Sequence, residues 1–514
     1  MGKRILAMYD IRGKQNFIFR KGKLREVIGA SWVIRDLFKD YLCNEKIYKY
    51  NPKDENDKFS WEGFHQHIDS GFDGEIIYDG GGNFFVLYKD EESCQATNRR
   101  FTKKLLEKTG TLKVLCSYVE ISEEENNYRE DEKRLRQQNR LDEAGESVIY
   151  AANILPFTKV DRNTSLPYTD YFQYRKENEQ VTRESLCKLK KYEECRKLEL
   201  EKEQLILDEM VQDKGKNSLL AIIHIDGNNM GAKVQTALEN CTTYEDCILR
   251  LREFSRDIQK NFIDDRRKDI FQKLENNRFV VSAGDDFTII CKAQDALTAV
   301  LTYLNGLKQT GEYENQNSSC AGIAIFHSHA PFDEAYRIAE ECCDNAKKVM
   351  KDNQLTDACF IDFEYLQSGV GMSLEGIRQE VGEVTSKPWL YSISTVEQEK
   401  INGKKYVSIG SNIPGVLQVD NVIKKLQKLG RTNVKGLAEA ALAGKTPFRF
   451  ELERIVAHVG KEQKENSILV DYLRACESEV SENEKRFRGM VYDCVIFYDL
   501  WFHSYEVEGD KVNE

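Results

Sequence analysis

The sequence predicts an α+β protein in which one small sheet-and-helix unit occurs twice, the copies joined by charged helices and followed by a helical C-terminal part. Two observations carry this. Residues 218–291 open with SLLAIIHIDGNN and close with RFVVSAGDDFTIIC, β-branched and aliphatic runs bounded by Gly, Asn and Asp, the pattern of buried strands bounded by turns. Near the N-terminus, RILAMYD and EIIYDGGGNFFVLYKD repeat that pattern, with Asp10 matching Asp226 and the GGGN hairpin matching AGDD.

In the first copy, residues 4–10 read as a strand, GKLREVIGASWVIRDLFKDYL as a helix, and residues 44–73 as a polar surface excursion. A hairpin around Gly80–Asn83, a polar helix near 91–108 and the strand TLKVLCSYVEI complete the order β, α, β, β, α, β. That is a ferredoxin-like arrangement, an antiparallel sheet backed by two helices. Residues 122–217 are dense in mixed charge and predict solvated helices. From 218 the first pattern returns, with CFIDFEYL as an edge strand. After about 368 runs such as VKGLAEAALAG and FELERIVAHVG predict helices. The expected domains are therefore 1–121, 122–217, 218–367 and 368–514.

A chain of 514 residues can bury ample apolar surface, and roughly three or four domains fit its length. It contains no apolar run of about 20 residues that could span a bilayer. The start is too polar for a signal peptide, so a cytoplasmic location is expected. The 14 cysteines are scattered and lack any C-x-x-C, so reduced core thiols are expected rather than disulfides or zinc. Cys187 with Cys195, and Cys320 with His327 and His329, are the nearest approaches to a zinc set. A formal net charge of −11 argues against strong unaided nucleic-acid binding, which rests on Lys and Arg meeting phosphates.

The predicted strand ends bring Asp226, Asp285 and Asp286 together. Converging carboxylates repel unless a cation lies between them, and hard oxygen ligands select Mg²⁺ or Mn²⁺. Such a cluster suits two ions that move a phosphoryl or nucleotidyl group. The Gly227 carbonyl is a further candidate ligand, and Gly227 and Gly231 leave room for phosphate in the turn. Asn228, Ser282 and Gly284 complete the expected nucleotide-contacting set; Asn228 and Asn229 also read as turn formers. With Phe85 set against Phe287, Asn83 falls opposite Asp285 and Phe84 opposite Asp286, so the first copy lacks metal-binding charge.

On these residues the chain resembles the polymerase-like large subunit of type III CRISPR effector complexes, the two-palm cyclic oligoadenylate synthetases related to GGDEF cyclases. DIRGKQNFIF, REVIGAS and IIYDGGGNFFVLY are similar to that family's first palm; HIDGNNMG, SAGDDF and AGIAIFHSHAPFDEAYRIAEECCDNAKK are similar to its second. The resemblance implies a degenerate first palm and a catalytic second palm that joins ATP into cyclic oligoadenylate or cyclic dinucleotide messengers in antiviral defence. It implies that Lys347 contacts the triphosphate, and that Gly81, Gly82 and Asn83 line an acceptor-nucleotide pocket. It implies partners among guide-RNA effector subunits through the C-terminal helices, or a homo-oligomer. The family's GGDD is AGDD here, with Ala283 first; the HD nuclease and zinc-binding cysteines have no match, so HD-type cleavage is not expected. The competing readings are a catalytically idle scaffold subunit and a GTP-using cyclase of GGDEF type.

Overall fold

The computed structural model describes residues 3–43, 46–51, 57–80, 83–121, 128–145, 158–174, 177–199, 210, 218–274, 277–308, 310, 317–366, 371–380, 384–392, 407–408, 417–426, 429–458, 481–496 and 498–501. They form two compact units. One comprises 1–205, 230–264 and 279–285; the other comprises 206–229, 265–278 and 286–514.

The first unit is built on a five-stranded sheet of β1 (Ile5–Arg12), β2 (Ile47–Tyr48), β3 (Gly74–Gly80), β4 (Asn83–Tyr88) and β5 (Lys113–Glu120), in the order β2-β3-β4-β1-β5. β1 lies inside the sheet between β4 and β5, and nothing polar interrupts Ile5–Tyr9, all buried. Helices Leu24–Leu37 and Glu91–Thr109 turn Val27, Val33, Phe101 and Leu105 into the core. The stretch expected as a surface excursion contributes more than a loop: β2 extends the sheet beside β3, and helix Trp61–Asp69 is capped by Ser60 accepting from the Gly63 amide.

The charged stretch departs from expectation. Alongside helices Tyr128–Ala144 and Arg183–Glu199 it holds an antiparallel hairpin, β6 (Tyr168–Tyr174) and β7 (Glu177–Thr182). Nor is the second helix a solvated one: Leu186, Leu189 and Tyr192 are buried, and so is Lys188. Lys188 is tolerated inside because Glu184 lies 2.6 Å away and the Phe17 ring 4.5 Å below its ammonium. Helix Tyr244–Ile258 also belongs to this unit. Its Leu251, Ile248 and Tyr244 share one apolar cluster with Met8, Phe64 and Phe85, and Arg252 ties Glu75 at 3.2 Å to the Ile76 carbonyl at 2.7 Å.

The second sheet has eight strands: β8 (Leu219–Gly227), β9 (Asn277–Ala283), β10 (Asp286–Lys292), β11 (Ser319–His327), β12 (Cys359–Tyr365), β13 (Trp389–Ser392), β14 (Val407–Ser408) and β15 (Leu417–Gln418). Its core order, β11-β8-β10-β9, repeats the first sheet's β5-β1-β4-β3, the ferredoxin-like order. β12 is interior rather than the expected edge, lying parallel to β11 and antiparallel to β13. The part expected to be helical therefore also donates three short strands. Among its described helices, Val419–Leu426, Arg431–Ala443, Lys445–His458 and Ser481–Ile496 bury Val422, Leu437, Phe448 and Met490. Tyr492, on the last of these helices, is buried as well. No helix among the described residues is long and apolar enough to cross a membrane.

Asp493 anchors the last long helix by accepting from the Ser386 amide at 2.7 Å and the Ser386 hydroxyl at 2.8 Å. Burial pushes its carboxyl up to about 6, against the pull of Lys387. Between the unfolded value of roughly 4 and about 6, the folded chain binds the extra proton, so stability falls as pH rises through that window, by up to about 3 kcal/mol. Urea unfolding between pH 4 and 7 checks this: Asp493→Asn is expected to lose that part of the pH dependence.

Candidate active site

β8 and β10 are antiparallel neighbours in which Phe287 faces Ile225, so the end of one and the start of the other share a rim. Asp226 is the penultimate residue of β8 and Asp286 the first of β10. Between β9 and β10 stands a two-residue turn, Gly284–Asp285, with Gly284 at φ 68°. Only glycine adopts that conformation without strain, and Gly-X is the pairing that such hairpins demand. Ala283 is the last residue of β9.

One oxygen from each of Asp226, Asp285 and Asp286 lies within 4.8 Å of the others. Among the described residues this is the sole group of three or more metal-ligating side chains. An oxygen-only donor set at a half-open rim fits Mg²⁺ or Mn²⁺ and not a thiophilic ion. The alternative zinc set is not assembled: Cys320 is buried in β11, whereas His327 ends that strand, exposed.

Lys347 reaches the rim from helix Phe332–Asp352. Its ammonium forms an ion pair with the Asp226 carboxylate and donates to the Gly227 carbonyl at 2.8 Å. The lysine therefore engages two residues expected as metal ligands, Asp226 through its carboxylate and Gly227 through its carbonyl. Asp344, one turn before Lys347, is a site neighbour the sequence reading missed; burial raises its carboxyl, with Lys347 lowering it and Asp226 raising it. Its i, i+3 spacing from Lys347 was the available signal.

Below the carboxylates lies a buried polar layer. His224, two residues before Asp226 and so on the same strand face, shares a hydrogen bond with the Thr288 hydroxyl at 3.0 Å, and Tyr336 packs edge-on at 5.6 Å. Burial pushes His224 down to about 4, so it stands neutral beneath the acids.

The turn after Asp226 corrects one expectation. Asn228 is fully buried, and its side-chain amide donates to the Ala358 carbonyl at 2.9 Å and the Ser318 hydroxyl at 3.1 Å. It anchors the turn and does not present its side chain to a nucleotide. Asn229, at φ 54°, donates to the Thr356 carbonyl at 2.5 Å. The chain then enters helix Met230–Leu238, where Gly231 borders open space: a Cβ there would meet no atom within 4 Å. Ser282 lies in β9 near the turn.

In the first sheet Asp10 pairs with Arg12 at 3.4 Å. Asn83 faces Asp10, and Phe84 faces Tyr9. With Asp10 set on Asp226, Phe84 takes the place of Phe287 and Asn83 that of Asp286, one residue away from the expected alignment. The conclusion survives the shift, since no carboxylate enters the hairpin positions. Gly81 and Gly82 lie outside the described residues.

Residues 219–356 match the family model for the Cas10/Cmr2 second palm domain. No curated protein matches the chain. Among solved structures, the Csm1-Csm4 cassette in complex with cA4 aligns with TM-score 0.51 at 12% identity, covering 96% of this chain and 69% of that one. The same cassette in complex with pppApApA gives TM-score 0.50 at 12% identity, covering 95% and 69%. At that identity the likeness speaks to the fold.

Proposed function

We propose, from the premise that residues 219–356 are a second palm domain of the Cas10/Cmr2 family, that the chain is a metal-dependent nucleotidyltransferase joining ATP into cyclic oligoadenylates or a cyclic dinucleotide, in a defence of the type III CRISPR kind. The observation that carries it is the meeting of Asp226, Asp285 and Asp286 on one rim with Lys347 beside them. That solved relatives of similar fold hold cA4 and pppApApA supports the choice of ATP.

Asp226, Asp285 and Asp286 would hold the ions. Two bound divalent ions would supply activation of a ribose hydroxyl and neutralisation of the departing pyrophosphate. The new bond joins that ribose oxygen to an α-phosphorus; the bond to pyrophosphate breaks, and the hydroxyl proton passes to solvent. Lys347 steadies phosphate charge. The Gly284 turn keeps Asp285 and Asp286 adjacent, and Asn228 holds the turn that carries Gly227 and the amides leading to Gly231. The degenerate sheet, with Asn83 at its hairpin and Gly81 and Gly82 before it, would seat the acceptor nucleotide.

The test is incubation of the full chain with each nucleoside triphosphate and Mn²⁺, with products read by mass spectrometry. Cyclic or linear oligoadenylate that Asp285→Asn eliminates is the expected result. Folded protein that yields no product from any triphosphate would favour the scaffold, and product from GTP alone the GGDEF-type cyclase.

A further inference from the structure

The contacts of Lys347 suggest more than phosphate binding. Its ammonium holds two oxygens at once, one from the Asp226 carboxylate and one from the Gly227 carbonyl, consecutive residues at the end of β8. Both are candidate metal ligands. The lysine is not a passing surface cation: its side chain is 16% exposed and Asp226 28% exposed. Helix Phe332–Asp352 cannot easily withdraw, because it is seated on β11 where Gly322 leaves no space for even a methyl group. Asn228 holds the neighbouring turn from the other side.

We propose that Lys347 is an internal competitor for the metal site, a latch that occupies Asp226 and Gly227 until the phosphates of an incoming nucleotide draw the ammonium away. This rests on the metal-dependent reading of the same three aspartates. A monovalent ammonium satisfies part of the charge at the rim, and a divalent ion must both displace it and suffer its repulsion at close range. Triphosphate oxygens offer the ammonium an equally charged partner elsewhere. Loading of nucleotide and of metal then favour each other, by the reciprocity that any coupling between two ligands obeys. The latch would keep the site weakly loaded with metal while no substrate is bound.

The proposal makes an unusual demand: deleting a group expected to assist the reaction should improve metal binding. Mn²⁺ titration of the full chain without nucleotide, read by the electron paramagnetic resonance of free Mn²⁺, tests it. Lys347→Met is expected to bind Mn²⁺ about tenfold more tightly than the parent chain, a gain of the order that removing one nearby charge provides. Its thermal midpoint should rise further on Mn²⁺ addition than the parent's, since the tighter ligand stabilises more. Lys347→Gln, which keeps a donor for the Gly227 carbonyl without the charge, should tighten binding as well and guards against a local collapse peculiar to methionine.

Equal or weaker Mn²⁺ affinity in both variants, with Asp226→Asn still abolishing the parent's binding, overturns the latch and leaves the metal site standing. Absence of Mn²⁺ binding in the parent and in both lysine variants overturns both.

Discussion

Asp226→Asn is expected to lower the rate of oligoadenylate formation by about 10³-fold or more, with the folded state retained. The substitution preserves shape while removing one of three charges that the rim offers to a cation, and site groups acting as a unit are lost together. Asp226 is the member with least freedom. It sits within β8, flanked by the ladders to β10 and β11, so no backbone shift can bring a substitute oxygen to its place. Initial rates with ATP and Mn²⁺, beside circular dichroism of the same sample, measure both halves of the expectation. A rate within tenfold of the parent would mean that the three carboxylates do not act together.

Gly322→Ala is expected to cost about 3 kcal/mol of stability or more. A Cβ at Gly322 would lie 1.9 Å from the Ala339 carbonyl oxygen and 2.4 Å from the Cys343 amide nitrogen, both backbone atoms of the helix that carries Lys347. Side chains yield to overpacking by changing rotamer, whereas backbone can yield only by moving the whole helix. The same displacement would carry Lys347 from Asp226, so activity should fall in the protein that remains folded. Gly231→Ala is the control, since its Cβ meets nothing within 4 Å and alanine suits a helix, giving a change within about 1 kcal/mol. Urea midpoints with unchanged m-values separate the two.

The repeat and its three aspartates are legible in the sequence because buried strands declare themselves as apolar runs and a two-residue hairpin requires glycine at a fixed place. The register of the first copy is harder. The run GGGNFF offers two consecutive phenylalanines, and a one-residue slip becomes visible only when Tyr9 is found opposite Phe84. β6 and β7 were hidden for another reason. YTDYFQY and ENEQVT pair with each other alone, outside both large sheets, and lack the long apolar runs that mark a buried strand. The interior place of β12 was obscured by distance along the chain, since its partner β13 follows only after another helix, and the charges of Asp362 and Glu364 suggest exposure until Arg378 is seen at 2.6 and 3.2 Å from them. Asn228 and Asn229 share one amino-acid type and one turn, yet one is anchored in the interior and the other is left-handed at the surface; neighbours far away in sequence, Ser318, Thr356 and Ala358, decide which.

The apolar cluster that joins Leu238, Tyr244, Ile248 and Leu251 to Met8, Phe64 and Phe85 bears on how this protein can be dissected. A truncated fragment starting at residue 218 would keep every aspartate of the rim but strip the covering from four large side chains, inviting self-association before any assay could begin. Deleting the first sheet therefore uncovers the apolar face of the helix that follows the second sheet's first strand.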